Sequence, residues 1–192
     1  MRNFLKDIST FPKPYKLELG SGGFGREKWD EWIHCDCHIP KEDHHIEVEC
    51  FAWDLPFENN SVGHIYLRGV FEHMRYAECH NAINEWDRVL IQNGIIEFNY
   101  PPIDDYIRRY VKGEVDINWM MGALYGWQKF DSDTHMSGWT QDKIKEFLKE
   151  WEDRYNIELF PGYHGTIGNI VRVESFESWD AGVHGWVRMI KK

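Results

Sequence analysis

Apolar residues fall into short runs divided by glycine, proline and acidic residues, and the spacing inside each run predicts an element. Tyr15 to Gly20 (YKLELG) reads as a short strand running into glycines, and Trp32 to Asp36 (WIHCD) as a second strand ending in an acid. Glu47 to Trp53 (EVECFAW), ending at Asp54, is a third, and Val62 to Leu67 (VGHIYL) a fourth. The period then changes. Between about Ala77 and Ile91, residues Ala82, Ile83, Trp86, Val89 and Leu90 recur at threes and fours, which buries one face of a helix. Asn93-Gly94 reads as its C-terminal cap. Ile95 to Tyr100 is a fifth strand, closed by Pro101-Pro102.

Beyond the prolines the pattern predicts helical pieces over 104–111 and 117–124, then a loop. Thr140 caps a helix from about Gln141 to Trp151, which buries Ile144, Phe147, Leu148 and Trp151. Closing strands are expected over 169–176 and 185–190, while 156–160 is ambiguous and the first fifteen residues read as a leader packed on the body. Strands separated by helical or loop connections predict an α/β fold. The expected architecture is Rossmann-like, a mostly parallel central sheet with helices on both faces and an antiparallel C-terminal strand. Such open sheets bind ligands beyond the carboxyl ends of their strands. The residues just past Leu19, Ile33, Trp53, Leu67 and Phe98 are therefore the ones to inspect, and glycines, Asp36, Asp54, Arg68-Gly69 and the double proline lie there.

Composition narrows the partners. With 22 Lys and Arg against 32 Asp and Glu, the formal charge is −10, which disfavours nucleic acid. No apolar run approaches the ~18 residues of a membrane span. The start has no signal-peptide core, and four cysteines without a framework suit reduced thiols in a cytoplasm. His34, Cys35, Cys37, His38, His44, His45 and Cys50 crowd one stretch, but Cys-Asp-Cys with scattered histidines lacks the paired knuckles of structural zinc, so no metal is expected. Neither a repeat nor a linker divides residues 1–192, which read as a single domain.

Glu18-Leu-Gly-Ser-Gly-Gly-Phe-Gly follows a strand, and its glycines let the backbone approach a ligand. Gly20, Gly22 and Gly25 have G-x-G-x-x-G spacing, yet only 26–31 remain for the helix that a dinucleotide pyrophosphate would need. Asp36 suits two ribose hydroxyls, since a carboxylate accepts both hydrogen bonds; a plain turn aspartate is the alternative. Asp54-Leu55-Pro56-Phe57 offers an acceptor for an amino group beside an apolar surface for a flat base, or else a simple Asp-Pro turn. Asn99-Tyr-Pro-Pro has the wrong order and place for a DNA amino-methyltransferase motif.

In order, LELGSGGFG, WIHCD, WDLPFENNSVGHIYLRGVFEH and AINEWDRVLIQNGIIEFNYP resemble successive motifs of class I S-adenosylmethionine-dependent methyltransferases, of the small type found in bacteria and phages. The likeness covers about 16–101 and continues in Tyr125-Gly126-Trp127-Gln128, Asp133, His135 and Gly138-Trp139-Thr140. It implies a cofactor-binding core over 16–101, an acceptor-side insertion or lid over 102–140, and S-adenosylmethionine as cofactor. Glu18, Gly20, Ser21 and Gly22 would surround its methionine part, Asp36 its ribose, and Asp54 its adenine amino group, with Leu55 against the ring. Arg68 and Gly69 would face the sulfonium, where relatives usually carry a small residue and then His or Asn. A guanidinium is unfavourable beside a sulfonium unless it points to a carboxylate, such as the methionine's, an acidic acceptor's or that of Glu72.

Methyl transfer needs alignment, and a hydroxyl acceptor also needs a base. His135 is the first candidate and His73 the second; loop packing and a helix-start role are their alternatives. Tyr125, Gln128 and, less directly, Tyr106 and Arg109 would line the acceptor pocket, and Trp127 and Trp139 are placed to stack on a ring. The expected activity is methyl transfer to oxygen or nitrogen of a small or saccharide-like molecule. A non-catalytic binding module on the same fold is the rival that Arg68-Gly69 favours, and a nicotinamide oxidoreductase is disfavoured by the short helix.

Overall fold

The structure, a computed structural model, describes residues 2–22, 31–39, 45–129, 131–166, 169–172 and 184–192. Gly25 with the stunted helix after it, His44, and positions 173–176 of the expected closing strand lie outside these residues. Strands β1 (Arg2–Phe4), β2 (Tyr15–Leu19), β3 (Trp32–Asp36), β4 (Val48–Cys50) and β5 (Val62–Leu67) precede helix α1 (Tyr76–Val89). Then come β6 (Leu90–Tyr100), α2 (Ile103–Val111), α3 (Ile117–Tyr125), α4 (Gln141–Leu148), β7 (Tyr155–Thr166), β8 (Asn169–Arg172) and β9 (His184–Lys191).

Among the described residues these strands form one nine-stranded sheet in the order β1-β4-β3-β2-β5-β6-β9-β7-β8. The inner pairs β3–β4, β2–β3, β2–β5 and β5–β6 are parallel, and β9 and β7 close the sheet antiparallel. The leader contributes β1, which pairs antiparallel with β4. Strand order reverses at β2, whose neighbours are β3 and β5, so a crevice is expected beyond its carboxyl end.

Alternation along the strands sorts the two faces. Leu17, Leu19, Ile33, Cys35, Ile65, Leu67, Ile96, Phe98, Val187 and Met189 enter one apolar core. Ile83 and Trp86 of α1 and Ile144 and Leu148 of α4 join them there. Phe71 sits among Trp86, Phe98 and Trp139, its ring 4.3 Å from that of Phe98. The opposite face carries Glu18, His34, Tyr66, Glu97, Asn99 and Trp186, also buried. Its charges are paired: Glu97 accepts from His64 at 2.9 Å and from Arg188 at 2.7 Å.

Several sequence expectations are corrected. The third strand stops at Cys50, and the chain turns so that Asp54 N donates to Phe51 O. Helix α1 ends at Val89, and β6 starts without a gap, Leu90 pairing with Val62. Asn93-Gly94 is therefore no helix cap. It lies in a bulge between the pairs Val62–Leu90 and His64–Ile95, where Asn93 takes φ +63°. The ambiguous 156–160 belongs to β7. Residues 149–151 tighten into a 3-10 turn, and Trp139 is a core residue with no exposed surface. Thr140 does cap α4, accepting from Lys143 N.

Candidate active site

The chain after β2 turns immediately over the end of β3, with Gly20 N and Ser21 N donating to Cys35 O. Gly20 takes φ +69°, and a Cβ there would stand 2.2 Å from Val70 Cγ2. Only glycine allows both that backbone and that approach. Gly22 N donates to Asp36 Oδ2 at 2.8 Å, and His38 N donates to Asp36 Oδ1 at 2.8 Å. Those bonds fix the half-buried carboxylate while leaving lone pairs for a diol. Glu18 is buried below this loop, its Oε2 3.6 Å from His34 Nε2. Ser21 is fully buried, and among the described residues its Oγ has no hydrogen-bond partner.

The other end of the predicted cofactor track looks different. Arg2 of β1 engages the Asp54 carboxylate and holds it below its ordinary pKa, chiefly through their hydrogen bond. Leu55 has no exposed surface and sits in the core, so it offers no free face to a ring. Beside it the partly exposed rings of Phe51 and Trp53 stack 4.8 Å apart, an aromatic pair that the sequence reading passed over. Arg68 is half-buried at the end of β5. Gly69, at φ +65°, donates its N–H to Asn99 Oδ1 at 2.7 Å. Asn99 is buried and its Nδ2 has no partner among the described residues.

Immediately past Val70 the chain makes a 3-10 turn, Phe71–His73. The segment 134–137 is stitched onto this turn: Met136 N and Ser137 N both donate to Glu72 O, and His73 Nδ1 meets Thr134 O at 3.1 Å. His135 Nδ1 meets Ala123 O at 3.1 Å, and its ring lies 4.9 Å from that of His73. A carbonyl oxygen only accepts, so each Nδ1 carries the hydrogen and each Nε2 keeps its lone pair in the neutral ring. Burial lowers the pKa of His135, favouring that neutral form. Glu72, 3% exposed, leaves Oε2 with no hydrogen-bond partner among the described residues.

Glycine again permits the fold. Gly126 takes φ +79°, and a Cβ there would lie 1.9 Å from Asp133 O, so the chain crosses itself tightly where His135 N donates to Tyr125 O. Tyr125 and Gln128 are exposed at this crossing. Tyr106 is buried with its ring 5.0 Å from Trp119, and burial, reinforced by the charge of Glu72, raises its pKa. Arg109 is tied to Asp105 at 2.7 Å. The sequence singled out His73 and His135 separately; it gave no sign that Glu72 joins them, because the three meet only through the fold.

A family model for a methyltransferase domain matches residues 31–98. No curated protein matches the chain. Solved structures do. An S-adenosylmethionine-dependent methyltransferase from Thermotoga maritima is 12% identical, with 95% of this chain and 84% of that one covered at a TM-score of 0.54. One from Archaeoglobus fulgidus is 11% identical over 93% and 86%, TM-score 0.53. The 1,6-didemethyltoxoflavin-N1-methyltransferase of Burkholderia thailandensis, solved with S-adenosylhomocysteine, is 13% identical over 95% and 72%, TM-score 0.53. At such identities the likeness establishes a Rossmann-like fold. No helix among the described residues is long and apolar enough to cross a membrane.

Proposed function

We propose that the chain is an S-adenosylmethionine-dependent methyltransferase that methylates oxygen or nitrogen of a small or saccharide-like acceptor held between the turn after β5 and residues 125–128 and 134–139. The observation that carries this is the close approach of the chain at Gly20 to Val70, where a Cβ would stand 2.2 Å from Val70 Cγ2: it brings the loop after β2 up to the residue that precedes the turn bearing Glu72 and His73. Asp36, bonded to Gly22 of that loop, would serve the β3 side of the site, and the paired imidazoles of His73 and His135 the β5 side.

The residues fit an adenosyl-methionine group. Asp36 has lone pairs left for ribose hydroxyls, and buried Ser21 Oγ and Asn99 Nδ2 lack partners among the described residues, as polar atoms awaiting a ligand would. Asp54 would accept from the adenine amino group after exchanging part of its contact with Arg2, beside the Phe51–Trp53 pair rather than Leu55. When bound, the cofactor supplies a methyl group already activated as an electrophile. The protein then has to align the acceptor and accept its proton. Neutral His135, Nδ1 anchored to Ala123 O, presents Nε2 as the base, and His73 stands beside it. An acceptor hydroxyl or amine aligned there would pass its proton to Nε2 as its oxygen or nitrogen takes up the methyl group. Exposed Tyr125 and Trp127 offer ring faces to a sugar or a flat acceptor.

Mass spectrometry of S-adenosylhomocysteine formed with a panel of hydroxylated and amino acceptors tests the activity. Product with a small acceptor supports it. Cofactor binding without product across the panel would leave the non-catalytic module as the better reading.

A further inference from the structure

We propose that Glu72, His73 and His135 bind a divalent transition-metal ion beside the reacting methyl group. One donor atom from each residue lies within 4.8 Å of the others. Ligands held ~2.1 Å from a tetrahedral ion stand about 3.4 Å apart, so modest side-chain motion closes the site.

The arrangement around these atoms is what a metal site requires. Metal-bound histidines characteristically give their second ring N–H to a carbonyl or carboxylate, which fixes the tautomer and aims the lone pair. Both do so here: His73 Nδ1 meets Thr134 O and His135 Nδ1 meets Ala123 O, each at 3.1 Å. The nitrogens left for an ion are the two Nε2 atoms. Glu72 adds a carboxylate that is 3% exposed and whose Oε2 has no partner among the described residues. A buried carboxylate oxygen is costly to leave unsatisfied, and a cation within reach resolves that cost. The two supporting segments are locked together by Met136 N and Ser137 N on Glu72 O, so the ligands are positioned before an ion arrives.

Two imidazoles and one carboxylate form the donor set of open zinc and non-haem iron sites, which keep positions for a substrate oxygen. The ion would take the acceptor hydroxyl as a ligand and lower its pKa, so the proton leaves to water before oxygen forms its bond to the methyl carbon. In the metal-loaded protein the imidazoles hold the ion, and the proton-accepting role of His135 Nε2 belongs to the metal-free protein. This role rests on the methyltransferase reading; the binding site itself does not.

Zn²⁺ uptake by the purified full chain after chelator treatment, followed by equilibrium dialysis, tests the site, and Co²⁺ provides a visible spectrum that reports the ligands. One ion per chain with a nitrogen- and oxygen-ligated Co²⁺ spectrum is expected. His73→Ala, His135→Ala and Glu72→Gln should each weaken uptake by more than the roughly 10–100-fold typical of losing an outer partner. His80→Ala, on the exposed side of α1 beside Glu150, should leave it unchanged. The Co²⁺ spectrum of the wild-type chain needs no variant, so a substitution that unfolds the protein does not blunt the test. Absence of stoichiometric uptake, or a thiolate-ligated Co²⁺ spectrum, overturns the proposal. Titration with S-adenosylmethionine in parallel separates the outcomes: cofactor binding and turnover without metal uptake sink this site alone, whereas metal uptake without cofactor binding sinks the methyltransferase reading.

Discussion

On the β2–β3 side of the candidate site the groups that would hold the cofactor come from neighbouring stretches of chain. Gly22 reaches Asp36 across 14 residues, and both follow strands that pair in parallel. On the β5 side the reactive cluster closes over longer spans, with His73 to Thr134 crossing 61 residues and Ser137 Oγ to Glu72 O crossing 65. The first half is a property of the parallel sheet and its glycine turn. The second exists only when the insertion after β6 folds back over the turn after β5. On the proposed reading, binding and chemistry would fall on separately built halves that approach each other at Gly20 and Val70, so that each should be open to disturbance without the other.

The largest effect expected from breaking that separation is on turnover. His135→Ala should lower kcat by roughly 10²–10⁴-fold, the range for losing a positioned acid–base group, with S-adenosylmethionine affinity held within about twofold. Single-turnover rates and calorimetry on the same preparation check this. A matching loss of affinity would show the halves are not separable. Next, Asp36→Ala should weaken cofactor binding by about a hundredfold, as two hydrogen bonds to a charged group disappear, while leaving Zn²⁺ uptake unchanged. Gly126→Ala comes third. Its backbone conformation and contact with Asp133 O make a side chain costly by about 1–3 kcal/mol, which should appear as roughly tenfold slower turnover with cofactor affinity intact.

These predictions also mark what the sequence made legible. Strand ends, with Asp36 closing β3, the glycine turn and the buried stripe of α1 were all readable, because each is set by local periodicity or by a short motif. Asn93-Gly94 misled because a turn-forming pair inside a bulge has the same local signature as a helix cap. Leu55 misled because an apolar residue after a strand reads equally as pocket wall or core, and only the packing of α1 over it decides. Glu72 was invisible as a partner because the 134–137 segment that brings His135 to it, through bonds to the Glu72 carbonyl, lies far along the chain, which no spacing reveals. The pairing of Asp54 with Arg2 depends on the leader becoming β1, likewise a tertiary event.

The smallest effect concerns Glu97 on the polar face of the sheet. Burial raises the pKa of Glu97, but hydrogen bonds from His64 and Arg188 outweigh it and hold the carboxyl below its usual value. A folded-state pKa below the unfolded one stabilises fully above the unfolded value near 4.3 and is lost as pH falls through the lower folded value. Arg188→Met should therefore flatten the acid limb of a stability–pH curve measured by urea unfolding, with cofactor binding at pH 7 unaltered. An unchanged acid limb would show that the pair contributes nothing to acid stability.

Calorimetric titration of S-adenosylhomocysteine into the wild-type chain and Asp36→Ala tests the central claim most directly. The account predicts saturable one-to-one binding by the wild type and about a hundredfold weaker binding by the variant. No heat and no thermal shift in the wild type at saturating ligand, or equal affinity in both proteins, would contradict it.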